Sequence, residues 1–273
     1  MTAGTFLVAR NPEPSSRLPY LVSLPLSNGP LVLKARERWP RTARVYCHRA
    51  EGWPEDAEVL EQVPVRVCRR SGVAIDLVLD RAREYRSQVV FTRTRGGREA
   101  IFWQTARTAA KARPGVRVPR RRAAGHAADE LLILVDTRER YAYRFAGKQA
   151  RTSRQALPAG DYAVELDGEL VAAVERKSLA DLTKALVDGS VAFQLAELAA
   201  LPRAAVAVED RFGALFKLEH VQPGFVAELL AAVQVRYPTV PVVFLDSRQL
   251  AEEWTFRFLG AALAHARAES TGA

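Results

Sequence analysis

Asp161-Tyr-Ala-Val-Glu-Leu-Asp-Gly-Glu-Leu-Val-Ala-Ala-Val-Glu-Arg-Lys177 decides the reading of the C-terminal half. Two short apolar runs flank Asp167-Gly168, a pair that accepts the left-handed backbone of a tight turn, so the stretch predicts an antiparallel hairpin. On its returning strand Glu175 and Lys177 are two residues apart and project to one face. A carboxylate beside an ammonium at the end of an apolar strand is costly to bury without a task. A divalent cation and a phosphate would complete the charge balance.

Working outward, Leu131-Leu-Ile-Leu-Val is a continuous apolar run expected of a strand buried on both faces, and it delivers Asp136 where the chain leaves the sheet. Ser178 starts a helix whose end is marked by Gly189. A second helix is expected over about 192–200, a strand at Ala204–Val208, and a third helix from Pro223 to about Arg236. A strand over 240–245 and an amphipathic helix over about 247–266 complete the pattern. Strands interleaved with helices predict an α/β or α+β sandwich around a central sheet.

The first half reads differently. Tyr20–Leu26 and Leu31–Ala35 flank Asn28-Gly29, a strong hairpin signal. Further short apolar runs begin at Ala43, Val63, Val73, Gln88 and Ala100, and Pro54–Gln62 reads as one short helix. This predicts a small β-rich domain over residues 1–110, a barrel or a sandwich. A stretch rich in Pro, Arg and Ala over 111–130 reads as a linker, and the α/β domain follows over 131–268.

The 273 residues suffice for two cores, and 48% hydrophobic with 26% charged residues describe a globular chain. No apolar run is long enough to span a membrane, and the N-terminus lacks the pattern of a secretory signal. The expectation is therefore a cytoplasmic protein with no membrane partner. Cys47 and Cys68 are too few for a disulfide framework or a zinc site and are expected as buried free thiols. The net charge of +9 is lopsided: residues 1–125 hold 24 Lys+Arg against 11 Asp+Glu, and the remainder is slightly acidic. A basic half beside a carboxylate-bearing half suggests that the first meets a polyanion. Arg120, Arg121 and Arg122 in the linker are candidate phosphate contacts, and Trp39, Trp53 and Trp103 are either core or stacking platforms.

The acidic pieces are Asp136-Thr-Arg-Glu139, Gly160-Asp161 and Glu175-Arg-Lys177. Hard oxygen ligands such as Asp161 and Glu175 can hold Mg²⁺ while leaving room for water and phosphate, the chemistry that a phosphodiester needs to hydrolyse. Lys177 would orient the attacking water or stabilise charge developing on phosphorus. Asp136 and Glu139 would support that cation or bind a second. Asp181 lies three residues after Ser178, the spacing of a capping box, so a structural and a functional task both stand. Arg176 should face away from Glu175 and Lys177, for a salt bridge or for DNA.

In order, these pieces resemble the signature of XPF-family structure-specific endonucleases: a GD pair, a spacer, then ERKxxxD, here Gly160-Asp161 and Glu175-Arg-Lys-Ser-Leu-Ala-Asp181. The likeness continues into Asp188-Gly189, Gln194 and Glu209-Asp210 and covers about half the chain. It implies a restriction-endonuclease-like fold, dependence on Mg²⁺ or Mn²⁺, and cutting of DNA at branches or junctions in repair or recombination. By motif, Asp136, Asp161, Glu175 and Lys177 would be catalytic, with Asp136, Asp161 and Glu175 on the metal and Arg138, Glu139, Arg176 and Asp181 in support. The chain departs from the family in three ways. Tyr141–Gln155 is polar where members often have a helix, Ser190 replaces an arginine, and no helicase or helix-hairpin-helix segment is present. The family also implies a homodimer, for which the apolar face of the last helix (Leu250, Trp254, Phe258, Leu259, Leu263) is the candidate. The alternatives are a catalytically silent DNA-binding scaffold, and a nuclease of RNA or single strands.

Overall fold

A computed structural model describes residues 4–94, 96–112, 123 and 130–271. The chain divides into two compact units, Met1–Val116 with Ala268–Ala273, and Arg117–Arg267. Arg120–Arg122 and most of the expected linker lie outside the described residues.

Eight antiparallel strands close the first unit into a barrel. They are β1 (Thr5–Arg10), β2 (Tyr20–Leu26), β3 (Gly29–Ala35), β4 (Val45–Arg49), β5 (Val59–Ser71), β6 (Ala74–Leu79), β7 (Arg86–Arg93) and β8 (Glu99–Thr105). Around the barrel the order is β1-β2-β3-β4-β8-β7-β6-β5. Alternate residues point inward and fill the interior, so Phe6, Leu33, Ile75, Leu77, Ile101 and Trp103 form a packed core. Trp39 and Trp103 meet edge to face with ring centroids 5.1 Å apart, and Trp103 Nε1 donates to Ser87 Oγ at 2.9 Å. Those two tryptophans are core, not stacking platforms, and Trp53 packs partly buried against Ala9, Leu21 and Val32.

The helix expected over Pro54–Gln62 does not form. From Val59 the chain pairs antiparallel with β1, whose run Thr5-Phe-Leu-Val-Ala-Arg the sequence pattern left unassigned. Long-range pairing outweighs local helix propensity there. Cys47 and Cys68 are free thiols, and burial pushes them up to about 12 and about 11 respectively. A short helix, α1 (Ala106–Ala112), follows the barrel.

The second unit is built on a six-stranded mixed sheet in the order β10-β9-β11-β12-β13-β14. Its strands are β9 (Leu131–Asp136), β10 (Ala150–Gln155), β11 (Tyr162–Leu166), β12 (Glu169–Lys177), β13 (Ala204–Val208) and β14 (Val242–Phe244). The hairpin β11–β12 turns at Asp167 and Gly168, both with positive φ. Helices α2 (Leu179–Val187), α3 (Val191–Ala199) and α4 (Pro223–Arg236) cover one face. There Leu182, Leu195 and Val226 pack with Ala163, Ala173 and Val206 of the sheet. Helix α5 (Arg248–Thr271) covers the other, bringing Phe256, Leu259 and Leu263 against Ile133, Val164 and Val174. Thus the α5 face expected to pair two copies is largely spent on its own sheet, with Trp254 and Phe258 packed against the same core. Among the described residues, no helix is long and apolar enough to cross a membrane.

Strand β12 sets the geometry of the site. Ala173 faces the α2–α4 side and Val174 the α5 side. By alternation Glu175 and Lys177 follow Ala173, and Arg176 follows Val174.

Candidate active site

Gly160 lets the chain approach β12 closely. Its φ is +79°, and a Cβ there would sit 3.1 Å from Ala173 Cβ and 3.2 Å from Val174 O. The tight approach lets Asp161 N donate to Val174 O at 2.9 Å, while Asp161 O accepts from Asp136 N, also at 2.9 Å. The Asp161 side chain is thereby aimed at the end of β12, where its Oδ2 accepts the backbone N–H of Arg176 at 2.7 Å. Glu175 Oε1 accepts from Lys177 Nζ and from Gln194 Nε2 of α3, each at 3.1 Å. Among the described residues, Asp161 Oδ1 and Glu175 Oε2 accept no hydrogen bond.

Both carboxylates line a cleft of about 460 Å³, together with Asp136, Asp181, Gln194 and Glu197. Burial first, and the Glu175 carboxylate second, push Asp161 up to about 7. The pair is therefore short of positive charge. Gln194 Oε1 is buried without a partner beside it, an acceptor that a water in the cleft would satisfy. Among the described residues, no three or more His, Cys, Asp or Glu side chains are arranged around a common metal position. Two carboxylates with unused oxygens, completed by water and substrate phosphate, are nevertheless the donor set that Mg²⁺ takes in phosphoryl chemistry.

Asp136 lines the same cleft, and its carboxylate is engaged by protein donors. It is 1% exposed, and its oxygens accept from Arg138 N at 2.7 Å, Arg138 Nε at 2.8 Å, Arg138 Nη2 at 3.0 Å and Leu157 N at 2.8 Å. The Arg138 hydrogen bond, followed by those of the two amides, holds Asp136 down to about 2. Its carboxylate joins β9 to the segment that leads into Gly160, with the exposed Arg138 guanidinium as its cover.

Glu139 likewise is committed elsewhere. Arg176 Nε donates to Glu139 Oε2 and Arg176 Nη1 to Glu209 Oε2, both at 3.0 Å. Arg248 Nη1 donates to Glu209 Oε1 at 2.8 Å. These largely buried pairs give Arg176 the salt-bridge task. Asp181 N donates to Ser178 Oγ at 3.1 Å, and Ser178 Oγ donates to Asp181 Oδ2 at 2.6 Å. That is a side-chain cap on α2, with Asp181 still at the cleft wall. Lys177, 7% exposed, lies beneath Glu175 as its ion-pair partner at 3.1 Å.

The structure therefore brings Asp136, Glu139, Asp161, Glu175, Arg176 and Asp181 to one cleft, with Lys177 and Gln194 bonded to Glu175. Sequence reasoning gave no task to Gln194 or Arg248 and placed Glu209 only as part of the family likeness. Only the pairing of β12 with β13 places Glu209 beside Arg176.

Residues 135–258 match the ERCC4 domain. Among solved structures, XPF from Aeropyrum pernix in complex with DNA is similar at 21% identity, covering 52% of this chain and 66% of that chain with a TM-score of 0.37. A second structure, XPF from Aeropyrum pernix, is similar at 22% identity, covering 50% of this chain and 68% of that chain with a TM-score of 0.40. The chain thus spans about two thirds of the length of these structures. No curated protein matches it.

Proposed function

We propose that the chain is an XPF-type nuclease: residues 135–258 match the ERCC4 domain, and we read it as a Mg²⁺- or Mn²⁺-dependent endonuclease on a restriction-endonuclease-like core, cutting DNA at branched or junction structures. One observation carries the reading. Asp161 and Glu175 converge in an open cleft with unused oxygens and an excess of negative charge. The silent-scaffold alternative predicts loss of one of these carboxylates, and both are present.

A bound divalent cation would supply charge neutralisation at the scissile phosphate and a more acidic water. The chain does the rest. Asp161 and Glu175 would hold the cation, with Asp161 oriented by the Arg176 amide. Lys177 fixes Glu175 and keeps a positive charge behind it. Gln194 holds Glu175 from α3 and offers Oε1 to a water. Asp136, with Arg138, fixes the approach to Gly160 at the wall of the cleft.

The basic barrel would contribute DNA affinity. Its outer surface carries Tyr46 and His48 of β4, in edge-to-face contact at 4.9 Å, and Phe102 of β8 with the Arg44 guanidinium over its ring. These exposed or half-exposed groups would replace the buried tryptophans as contacts for bases. Pairing of two copies would use Phe212, Phe216 and Phe225, which are about half exposed, in place of the covered face of α5.

The test is cleavage of duplex, flap, fork and single-stranded DNA, and of RNA, with and without Mg²⁺. Metal-dependent cutting of branched DNA, abolished in Asp161→Asn and Glu175→Gln with binding retained, is the expected result. Wild-type rates in either variant would overturn the assignment, and cutting confined to RNA or to free single strands would favour that alternative.

A further inference from the structure

A second cavity of about 780 Å³ adjoins the catalytic cleft and shares Arg140, Tyr141 and Arg176 with it. Its wall is strongly cationic, five arginines against the single carboxylate of Glu252. Two of the five, Arg176 and Arg248, are neutralised by Glu139 and Glu209. Arg154 donates to the backbone carbonyls of Thr137 and Glu139. Arg140 and Arg144 meet no carboxylate among the described residues. Three guanidinium groups thus face one space without an acidic partner, beside a cleft that has the opposite excess.

Between the two lies Tyr141. Its side chain is 73% exposed, yet its backbone is held at both ends. The N–H donates to Glu139 Oε1 at 2.5 Å, and the carbonyl accepts from Arg248. The following loop is equally fixed. Tyr143 and Phe145 are buried, the Tyr143 ring stacks on Tyr162 at 4.7 Å, and Tyr143 N donates to Tyr162 Oη at 2.9 Å. Tyr162 directly follows Asp161. The loop that presents Arg140, Tyr141 and Arg144 is therefore tied to the strand that presents the catalytic carboxylate. Because the backbone is already fixed, a ligand meeting this ring would not have to order the main chain that carries it.

We propose that an unpaired DNA strand leaves the Asp161–Glu175 cleft across Tyr141, one base stacked on its ring and the adjoining phosphates held by Arg140, Arg144 and Arg154. Phosphates suit the guanidinium fork. The exposed ring selects an unpaired strand, because bases within a duplex already stack on one another and gain nothing from it. Alternation along β12 supplies the path: Glu175 opens on one side of the sheet and Arg176 on the other, so the strand crosses the sheet's end between them. This rests on the nuclease reading and adds to it the character of the DNA flanking the cut.

The experiment measures binding of the full-length Glu175→Gln protein to a blunt duplex and to the same duplex with a single-stranded tail, by anisotropy over a salt series. Into that background go Arg140→Gln/Arg144→Gln, Tyr141→Ala and Tyr141→Phe. The double arginine variant is expected to weaken tailed DNA about tenfold and to reduce the salt slope by about 1.4, the equivalent of two single-strand phosphates. Tyr141→Ala should weaken it about fivefold or more with the slope unchanged, and Tyr141→Phe should be silent. Blunt duplex should be unaffected throughout. Equal losses on both DNAs, or no loss on tailed DNA, overturn the proposal. Repeating the series in EDTA without the Glu175 substitution separates the two readings. If Glu175→Gln still cuts, the active-site assignment fails, while the tail-specific losses test the strand path independently.

Discussion

The backbone N–H of Arg176 donates to Asp161 at 2.7 Å while its guanidinium, on the opposite face of β12, joins Glu139 to Glu209. One residue thus aims a carboxylate with its main chain and secures the strand with its side chain. Arg176→Ala leaves two largely buried carboxylates facing each other and should cost about 3 kcal/mol, or ~10 °C in melting temperature. Arg176→Lys should recover part of this, since one ammonium cannot span both partners as a fork does. Thermal melts of both variants check it, and an unchanged Arg176→Ala melt would remove the network from the frame.

Asp161 predicts a stability that depends on pH in a defined direction. Its folded value lies above the ordinary 3.8, at about 7, chiefly through burial. A raised carboxyl binds its proton more tightly in the folded protein. Its contribution is therefore fully present below the unfolded value and is lost as pH climbs through the folded one. Asparagine imitates the neutral form at every pH. In EDTA, Asp161→Asn should stabilise the protein at pH 8, by on the order of 1–2 kcal/mol after solvent screening, and make no difference at pH 3.5. Denaturant melts at the two pH values decide this. Destabilisation at pH 8 would contradict it.

Gly160→Ala should harm both stability and cleavage. A side chain there is strained by the positive φ and meets Ala173 and the Val174 carbonyl within 3.1–3.2 Å. The expected cost is about 1–3 kcal/mol. The backbone shift should also displace Asp161, lowering kcat more than it raises KM. A variant that melts lower but cuts at the wild-type rate would show that the close approach serves folding alone.

At α2 the cap and the cleft can be separated. Ser178→Ala removes the acceptor for Asp181 N and should cost about 1 kcal/mol. Asp181→Asn keeps that N–H, so stability should hold within about 0.5 kcal/mol, and cleavage should change little. A stable Asp181→Asn protein with strongly reduced kcat would place Asp181 at the substrate.

Much of the second unit was legible because its signals are local. The Asp167-Gly168 turn, the apolar run at Leu131, Pro223 at a helix start and the Ser178–Asp181 cap each depend on neighbours within a few residues. What stayed hidden depends on partners far along the chain. Asp136 reads from sequence as a bare carboxylate, and only the fold brings Leu157 N to it beside Arg138. The ion-pair task of Glu209 stays hidden until β13 sets it beside Arg176. In the barrel, β1 was missed and Pro54–Gln62 misread for one shared reason. β1 and the Val59–Gln62 part of that segment become strands by pairing with each other, across roughly fifty residues of sequence. The arginines of the second cavity were invisible because the polar stretch after Asp136 has no period. Tyr143 and Phe145, buried against Tyr162, give it a fixed shape.

Closure of the N-terminal barrel limits how it can take hold of anything. With each of its eight staves hydrogen-bonded on both sides, no peptide edge is offered for another chain to extend. Recognition is left to the groups standing off the wall, mostly guanidinium. On the proposed reading, a grip of that kind would count phosphates and ignore the order of bases, would loosen steeply as ions are added, and would let the molecule travel along a polymer in search of a place to cut.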